Sequence, residues 1–265
     1  MSAAAVDVLD LVDTERYPLG DPVLTDAAHR QFADEGVCIL PGFIRPEWVP
    51  ALVAECDRLA ALAHRSLVRG TPYLAAPDRT FAADHPRNAR VHNSLEAVAY
   101  DLFPGDSLVR RLYESDALMR FVAAVLDVPV LHRYADPFGA LNLAVMRDGD
   151  VLGWHFDMTD FVVSIAIQSS TDGGDFLNAK QIRSAADERY DDVARVLAED
   201  AASPLVRVEP MHPGTLMLFN GRTSLHKVSP IGGEVPRYVA LLAYDTEPGT
   251  DSSEGLKLVR YGRLP

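Results

Sequence analysis

From residue 139 onward the chain is broken into short β-rich runs, GALNLAVMRD, FVVSIAIQ, LVRV, GTLMLFN and RYVALLAYD, set apart by Gly, Pro, Asp and Asn. Runs of this length, rich in branched and aromatic residues, suit strands, and the residues between them suit turns. Many short strands at this spacing predict a sandwich or jelly roll. Between them, SAADERYDDVARVLAED reads as a solvated helix inserted in a loop, with its charges on the outer face.

The first half has a different rhythm. TDAAHRQFADEGVCILPGF reads as helix, turn and strand, with Thr25 suited to the N-cap, Gly36 to the helix stop and Val37 to Leu40 to a short buried strand. Pro46 suits a first helical turn, and Val49, Leu52, Cys56, Leu59 and Ala63 follow at helical spacing. SDALMRFVAAVLDV is a second amphipathic helix, apolar at Leu118, Phe121, Val122 and Val125. Residues 70 to 94 show no period and read as a long loop, a kind that often carries function. No repeat, low-complexity tract or interdomain linker stands out. The expectation is one α+β domain over residues 1–265. It divides into an irregular lead-in (1–24), a mainly helical part (25–138), a barrel-like β core (139–247) and a C-terminal extension (248–265).

A length of 265 residues suits one large domain with material for a core. The net charge of −13 argues against a nucleic-acid or anionic-membrane partner, since both would repel the chain. It leaves a small-molecule substrate open. The N-terminus carries acids where a secretory signal would carry Lys or Arg, and no apolar run approaches the roughly 18 residues of a membrane span. Cys38 and Cys56 sit in apolar settings that suit free buried thiols better than a disulfide. These features predict a cytoplasmic protein. Its oligomeric state is not legible.

Within the β region, GWHFDMTDF places His155 and Asp157 two apart. With 8 His and 38 acidic residues in the chain, about one His-x-Asp/Glu is expected by chance, and one is found, so the pattern alone is weak. In a strand, residues two apart project to one face roughly 6–7 Å apart and can converge on one ion. Two histidines and a carboxylate with open positions suit non-haem Fe(II) and oxygen chemistry. The candidate third ligand is His226 in FNGRTSLHKVSP, which follows a strand opened by Pro-Gly. Eleven residues later, behind Pro236, Arg237 is the first side chain of its strand able to enter the barrel, where a guanidinium can grip a carboxylate. Each has a plainer alternative: a strand-edge polar pair, an ordinary loop histidine, a surface ion-pair partner.

The ordered set LGWHFD, GGDF, PGTLMLF and a His followed after ten residues by Arg resembles the Fe(II)/2-oxoglutarate-dependent oxygenases, in particular the phytanoyl-CoA-hydroxylase-like group. FADEGVCILPGFI looks like that group's opening helix and strand, so the resemblance spans residues 25 to about 247. It implies a double-stranded β-helix, a cupin-like jelly roll, with packed N-terminal helices. It implies that His155, Asp157 and His226 bind Fe(II), that Arg237 partners the distal carboxylate of 2-oxoglutarate, and that O2 is the second cosubstrate. The match is also similar to a subgroup acting on free amino acids, some of whose members are halogenases with a small residue in place of the carboxylate ligand. Asp157 stands at that position here, which implies hydroxylation of a small polar substrate, a free amino acid or a biosynthetic intermediate.

Other residues keep two readings each. Arg90, His92 and Asn93 belong either to a solvated loop or to a substrate lid, and Arg222 either meets a substrate carboxylate or pairs with an acidic neighbour. Asn142, a lone amide in an apolar strand, either satisfies backbone groups or faces 2-oxoglutarate or substrate. DGGDF at 172–176 is mainly turn chemistry, although the resemblance implies that its strand lines the site, and Trp154 is expected in the core on the face opposite His155. Two rival functions stand beside this one, a zinc-dependent hydrolase on the same triad and a non-catalytic jelly-roll binding or regulatory protein. A zinc hydrolase would want a general-base Glu and have no use for Arg237. A non-catalytic jelly-roll binding protein would need neither.

Overall fold

The structure is a computed structural model that describes residues 8–265. Residues 1–7 of the expected lead-in lie outside the described residues. The helices are α1 (Pro22–Glu35), α2 (Val49–Ala60), α3 (Leu108–Glu114), α4 (Asp116–Val125), α5 (Tyr190–Glu199) and α6 (Glu254–Tyr261). The first strands are β1 (Val37–Leu40), β2 (His64–Gly70), β3 (Val91–Val98), β4 (His132–Arg133) and β5 (Leu141–Met146). Then come β6 (Leu152–His155), β7 (Val162–Gln168), β8 (Asp172–Gly173), β9 (Phe176–Ala179) and β10 (Arg207–Glu209). The last are β11 (Leu216–Phe219), β12 (Leu225–Val228), β13 (Ile231–Gly232), β14 (Arg237–Leu242) and β15 (Tyr244–Asp245).

Hydrogen bonding orders the main sheet β1-β11-β7-β14-β5-β3-β6-β12-β9-β10, antiparallel throughout. Strands of the core alternate between its two halves, β5, β7, β11 and β14 in one and β6, β9 and β12 in the other, with β10 added beside β9 at the edge of the second. That alternation is a double-stranded β-helix. β3 joins the halves, pairing with β5 through Glu96 to Val98 and with β6 at Asn93.

Period-2 strands give each half an inner and an outer face. Inward side chains such as Ala144, Met146, Phe176, Met217, Phe219 and Val228 pack together in the lumen. Outward Leu143, Val145, Ile165 and Leu218 pack under the helical layer, against Leu52, Cys56, Leu112 and Phe121. On the other half, Trp154, Leu177 and Leu225 pack against Val193 and Val196 of α5. Each fully buried Leu, Val or Phe contributes roughly 1.5–3 kcal/mol relative to exposure, so these layers hold the strands that carry the site.

Several local expectations are corrected. α1 begins a turn before Thr25: Asp21 is the N-cap, its carboxylate accepting from the Val23 N–H, with Pro22 in the first turn. Its stop is Gly36, left-handed at φ 66°, as the sequence suggests. Residues 64–70 and 91–98 form the β2–β3 hairpin, which leaves a loop of residues 71–90 in place of the longer one expected. Only Ser66 of β2 is buried and the strand has no apolar face, so nothing in its own sequence announces it. Ahead of α1, Leu11, Val12 and Tyr17 are buried, and the Tyr17 hydroxyl donates to the Pro41 carbonyl. Cys38 and Cys56 are free and buried, and burial pushes the Cys38 thiol up to about 12. No helix among the described residues is long and apolar enough to cross a membrane.

Candidate metal and cosubstrate site

β6 ends on His155, β12 opens with Leu225 and His226, and the two histidines face each other in the ladder. Asp157 follows β6 after Phe156, its N–H bonded to the Gly221 carbonyl at 3.0 Å. The structure thus brings His155, Asp157 and His226 together at one end of the barrel, with one ligand atom from each lying within 4.8 Å of the others. The Asp157 carboxylate sits 3.8 Å from His155 Nε2 and 3.4 Å from His226 Nε2.

The remaining ring nitrogens are committed elsewhere. His155 Nδ1 lies 2.8 Å from the Gly153 carbonyl and His226 Nδ1 3.0 Å from the Ser224 carbonyl. A carbonyl only accepts, so each Nδ1 carries the hydrogen of its bond and each Nε2 is left beside the carboxylate, the arrangement a metal ligand needs. Burial, helped by the neighbouring His226, pushes the His155 pKa down to about 4, which keeps the ring neutral at physiological pH. Phe176 and Phe219 pack around His226, with ring centroids at 5.6 and 4.8 Å.

Arg237 opens β14 at the far end of the lumen, opposite Met146 in register. Its side chain is buried, yet its guanidinium makes no hydrogen bond or ion pair among the described residues. Burial pushes its pKa down to about 10, opposed only in part by the carboxylate of Asp175, so the guanidinium keeps its positive charge inside the barrel. Burying a charge is costly unless it is paired, so the guanidinium is a site suited to a carboxylate. Room for the arginine stem comes from Gly174 in the DGGDF turn: a Cβ there would lie 3.0 Å from Arg237 Cδ, and its φ is +74°. That turn therefore shapes the pocket as well as reversing the chain.

Asn142 shares the inward face of β5 with Ala144 and Met146, and its buried Oδ1 has no partner. Asn178 was missed by sequence reasoning. It lies directly across from His226, is fully buried, and its Oδ1 is also without a partner, while its Nδ2 donates to Glu209 at 3.3 Å. The signal was the same as for Asn142, an amide inside the apolar run FLNA.

The expected lid residues are placed differently. His92 and Asn93 lie on β3 rather than in a loop, and Arg90 immediately precedes it. Asn93 Oδ1 accepts from the Gly153 N–H at 2.8 Å, so its amide serves the β3–β6 junction, while Arg90 and His92 are exposed. Arg222 takes its second reading, pairing with Asp160 and donating to the Met158 carbonyl. Both line a cleft of about 440 Å³ beside the segment that follows Asp157. Trp154 is in the outer core, its Nε1–H donating to Asp200 at 2.8 Å.

Gly221 was also missed. A Cβ there would lie 2.3 Å from Asp157 Oδ2 and 2.9 Å from its Cβ, so only glycine lets the turn press against the carboxylate. Gly221→Ala is expected to displace Asp157 and weaken Mn(II) binding roughly ten- to hundredfold, with the fold retained. Calorimetric Mn(II) titration beside a circular-dichroism melt checks this, and an unchanged metal affinity would show that the contact is not needed.

The double-stranded β-helix is the fold of solved structures of Fe(II)/2-oxoglutarate oxygenases. An oxidoreductase of the 2OG-Fe(II) oxygenase family from Burkholderia pseudomallei superposes with a TM-score of 0.54 at 15% identity, over 85% of this chain and 92% of its own. HygX from Streptomyces hygroscopicus, with nickel and 2-oxoglutarate bound, gives 0.53 at 16% identity, over 84% and 88%. SnoN, a non-haem α-ketoglutarate-dependent epimerase of nogalamycin biosynthesis, gives 0.56 at 14%, over 85% and 83%. At these identities the likeness is one of fold. This chain is an enzyme of the Fe(II)/2-oxoglutarate oxygenase class. The family model for halogenase D matches residues 21–255, and the chain belongs to that family. None of the curated proteins matches it.

Proposed function

We propose that this chain is a hydroxylase, not a halogenase: an Fe(II)- and 2-oxoglutarate-dependent dioxygenase that oxidises an unactivated C–H bond of a small polar substrate and releases succinate and CO2. The observation that carries the reading is Asp157, whose carboxylate meets both free Nε2 atoms at 3.4 and 3.8 Å. With His155, Asp157 and His226 as ligands, the protein fills three positions on the ion. With 2-oxoglutarate and O2 as cosubstrates, that ligand set would leave no position for a halide.

When bound, iron with its two cosubstrates supplies the oxidant; the side chains position the reactants and keep the lumen dry. The Nδ1–H bonds to Gly153 and Ser224 hold both imidazoles in the ligating tautomer. Arg237 holds the distal carboxylate of 2-oxoglutarate, and the phenyl rings of Phe176 and Phe219 exclude water beside His226. Asn142 turns an unpartnered amide toward the bound cosubstrate or substrate. The cleft of about 440 Å³, lined by Tyr134, Asp160, Asn220 and Arg222, has the size and polarity for a small polar molecule such as a free amino acid or a biosynthetic intermediate. Two free buried thiols suit a reducing, cytoplasmic setting.

The test is turnover with Fe(II), 2-oxoglutarate and O2 across a panel of amino acids, scored by succinate release and by a product mass increased by one oxygen. Activity supported by zinc without 2-oxoglutarate would overturn the reading in favour of a hydrolase. Arg237→Ala removes a charge-assisted pair worth about 1.5–3 kcal/mol, so half-saturation by 2-oxoglutarate is expected to rise roughly ten- to hundredfold. An unchanged 2-oxoglutarate dependence would place the cosubstrate elsewhere.

A further inference from the structure

We propose that Arg183 is a positioning residue for the metal site, fastening the segment that carries His155 and Asp157 to the turn that leads into His226. This rests on the reading of those three residues as metal ligands. Arg183 lies in the connection between β9 and α5, far in sequence from either segment. Its guanidinium carbon sits 3.9 Å from the ring centroid of Phe156, the residue between His155 and Asp157. Its Nε–H donates to the Arg222 carbonyl at 2.8 Å, and its backbone N–H to the Thr223 carbonyl at 3.3 Å. One planar group therefore touches the segments on both sides of the ion.

The bracket is itself held. Glu188 accepts from Arg183 Nη1 at 3.1 Å, and its other oxygen faces Arg87 at 3.4 Å. Arg87, in the loop 71–90, lies over Tyr73 at 4.7 Å, and Tyr73 packs on Phe156 at 5.2 Å between ring centroids. The Phe156 N–H donates to the Pro72 carbonyl at 2.8 Å. Phe156, at 1% exposure, is thus enclosed by the loop and by Arg183, and its backbone has little freedom to swing His155 or Asp157. Groups that orient ligands in this way typically account for ten- to hundredfold in metal affinity.

Arg183→Lys keeps a positive charge for Glu188 but loses the planar face on Phe156 and the fixed Nε–H. The expected result by anaerobic Mn(II) calorimetry is a Kd raised roughly ten- to hundredfold, with a thermal midpoint close to wild type and an altered visible spectrum of the Co(II)-substituted protein. Phe156→Leu removes the same contact from the other side and should weaken Mn(II) comparably, and the double variant should be little worse than either alone. A wild-type Mn(II) Kd in Arg183→Lys overturns the proposal. Should that variant fail to fold, an unchanged Kd in Phe156→Leu overturns it instead. Wild-type protein that binds no Mn(II) strikes the proposed function itself. Tight wild-type binding that the variants leave untouched strikes Arg183 alone.

Discussion

His226→Ala is expected to abolish turnover and to weaken Mn(II) and Fe(II) binding by more than the roughly 100-fold that loss of a ligand-orienting group costs. His226 is 4% exposed, its Nδ1 held by the Ser224 carbonyl, its Nε2 3.4 Å from Asp157. Truncation leaves two protein ligands, with nothing else on the inward face of β12 able to replace the nitrogen, since the next inward residue is Val228. The fold is expected to survive, because the ladder from Leu225 to Val228 is held by backbone bonds to β9. Anaerobic Mn(II) titration, succinate release and a thermal melt read the three quantities separately. Wild-type-like activity in this variant would remove His226, and with it the triad, from the mechanism.

The second large effect concerns Asp157, the residue on which the proposal of hydroxylation rather than halogenation rests. The wild-type enzyme is expected to give no chlorinated product, even at high chloride. Asp157→Gly vacates the third protein position and removes the group both Nε2 atoms face, so metal binding weakens and hydroxylation falls by at least roughly 100-fold. Halogenation gained by the variant should be poor. Gly221 approaches Asp157 so closely that it is fitted to a carboxylate, and no pocket shaped for a halide follows from removing one. Mass spectrometry of the product, in chloride and in bromide, decides the matter. A chlorine-bearing product from the wild-type enzyme would show that Asp157 is not the ligand.

The β half of the molecule was readable because its strands are short, apolar and separated by turn residues, and because pairing inside a barrel rewards that pattern whatever the partners are. The histidines, Asp157 and Arg237 were readable because each stands next to a recognisable strand boundary: the end of β6, the opening of β12, and Pro236 ahead of β14. β2 was not, since only Ser66 of its seven residues is buried and they are strand only through their register with β3. His92 and Asn93 were read as loop for the same reason, and Arg222 waited on the position of Asp160.

By itself, then, the sequence determined what local pattern and residue chemistry determine: a jelly roll under a helical layer, two histidines and a carboxylate that come together, and an arginine at the start of a core strand. Only the tertiary structure decided which long-range neighbours complete the site. Gly221 lies 64 residues beyond Asp157, Asn178 reaches His226 from another strand, and Arg183 spans two segments that belong to neither its helix nor its strand. Such contacts depend on strand register and side-chain packing across the barrel, and register follows from burial of whole faces at once rather than from any residue's own preference.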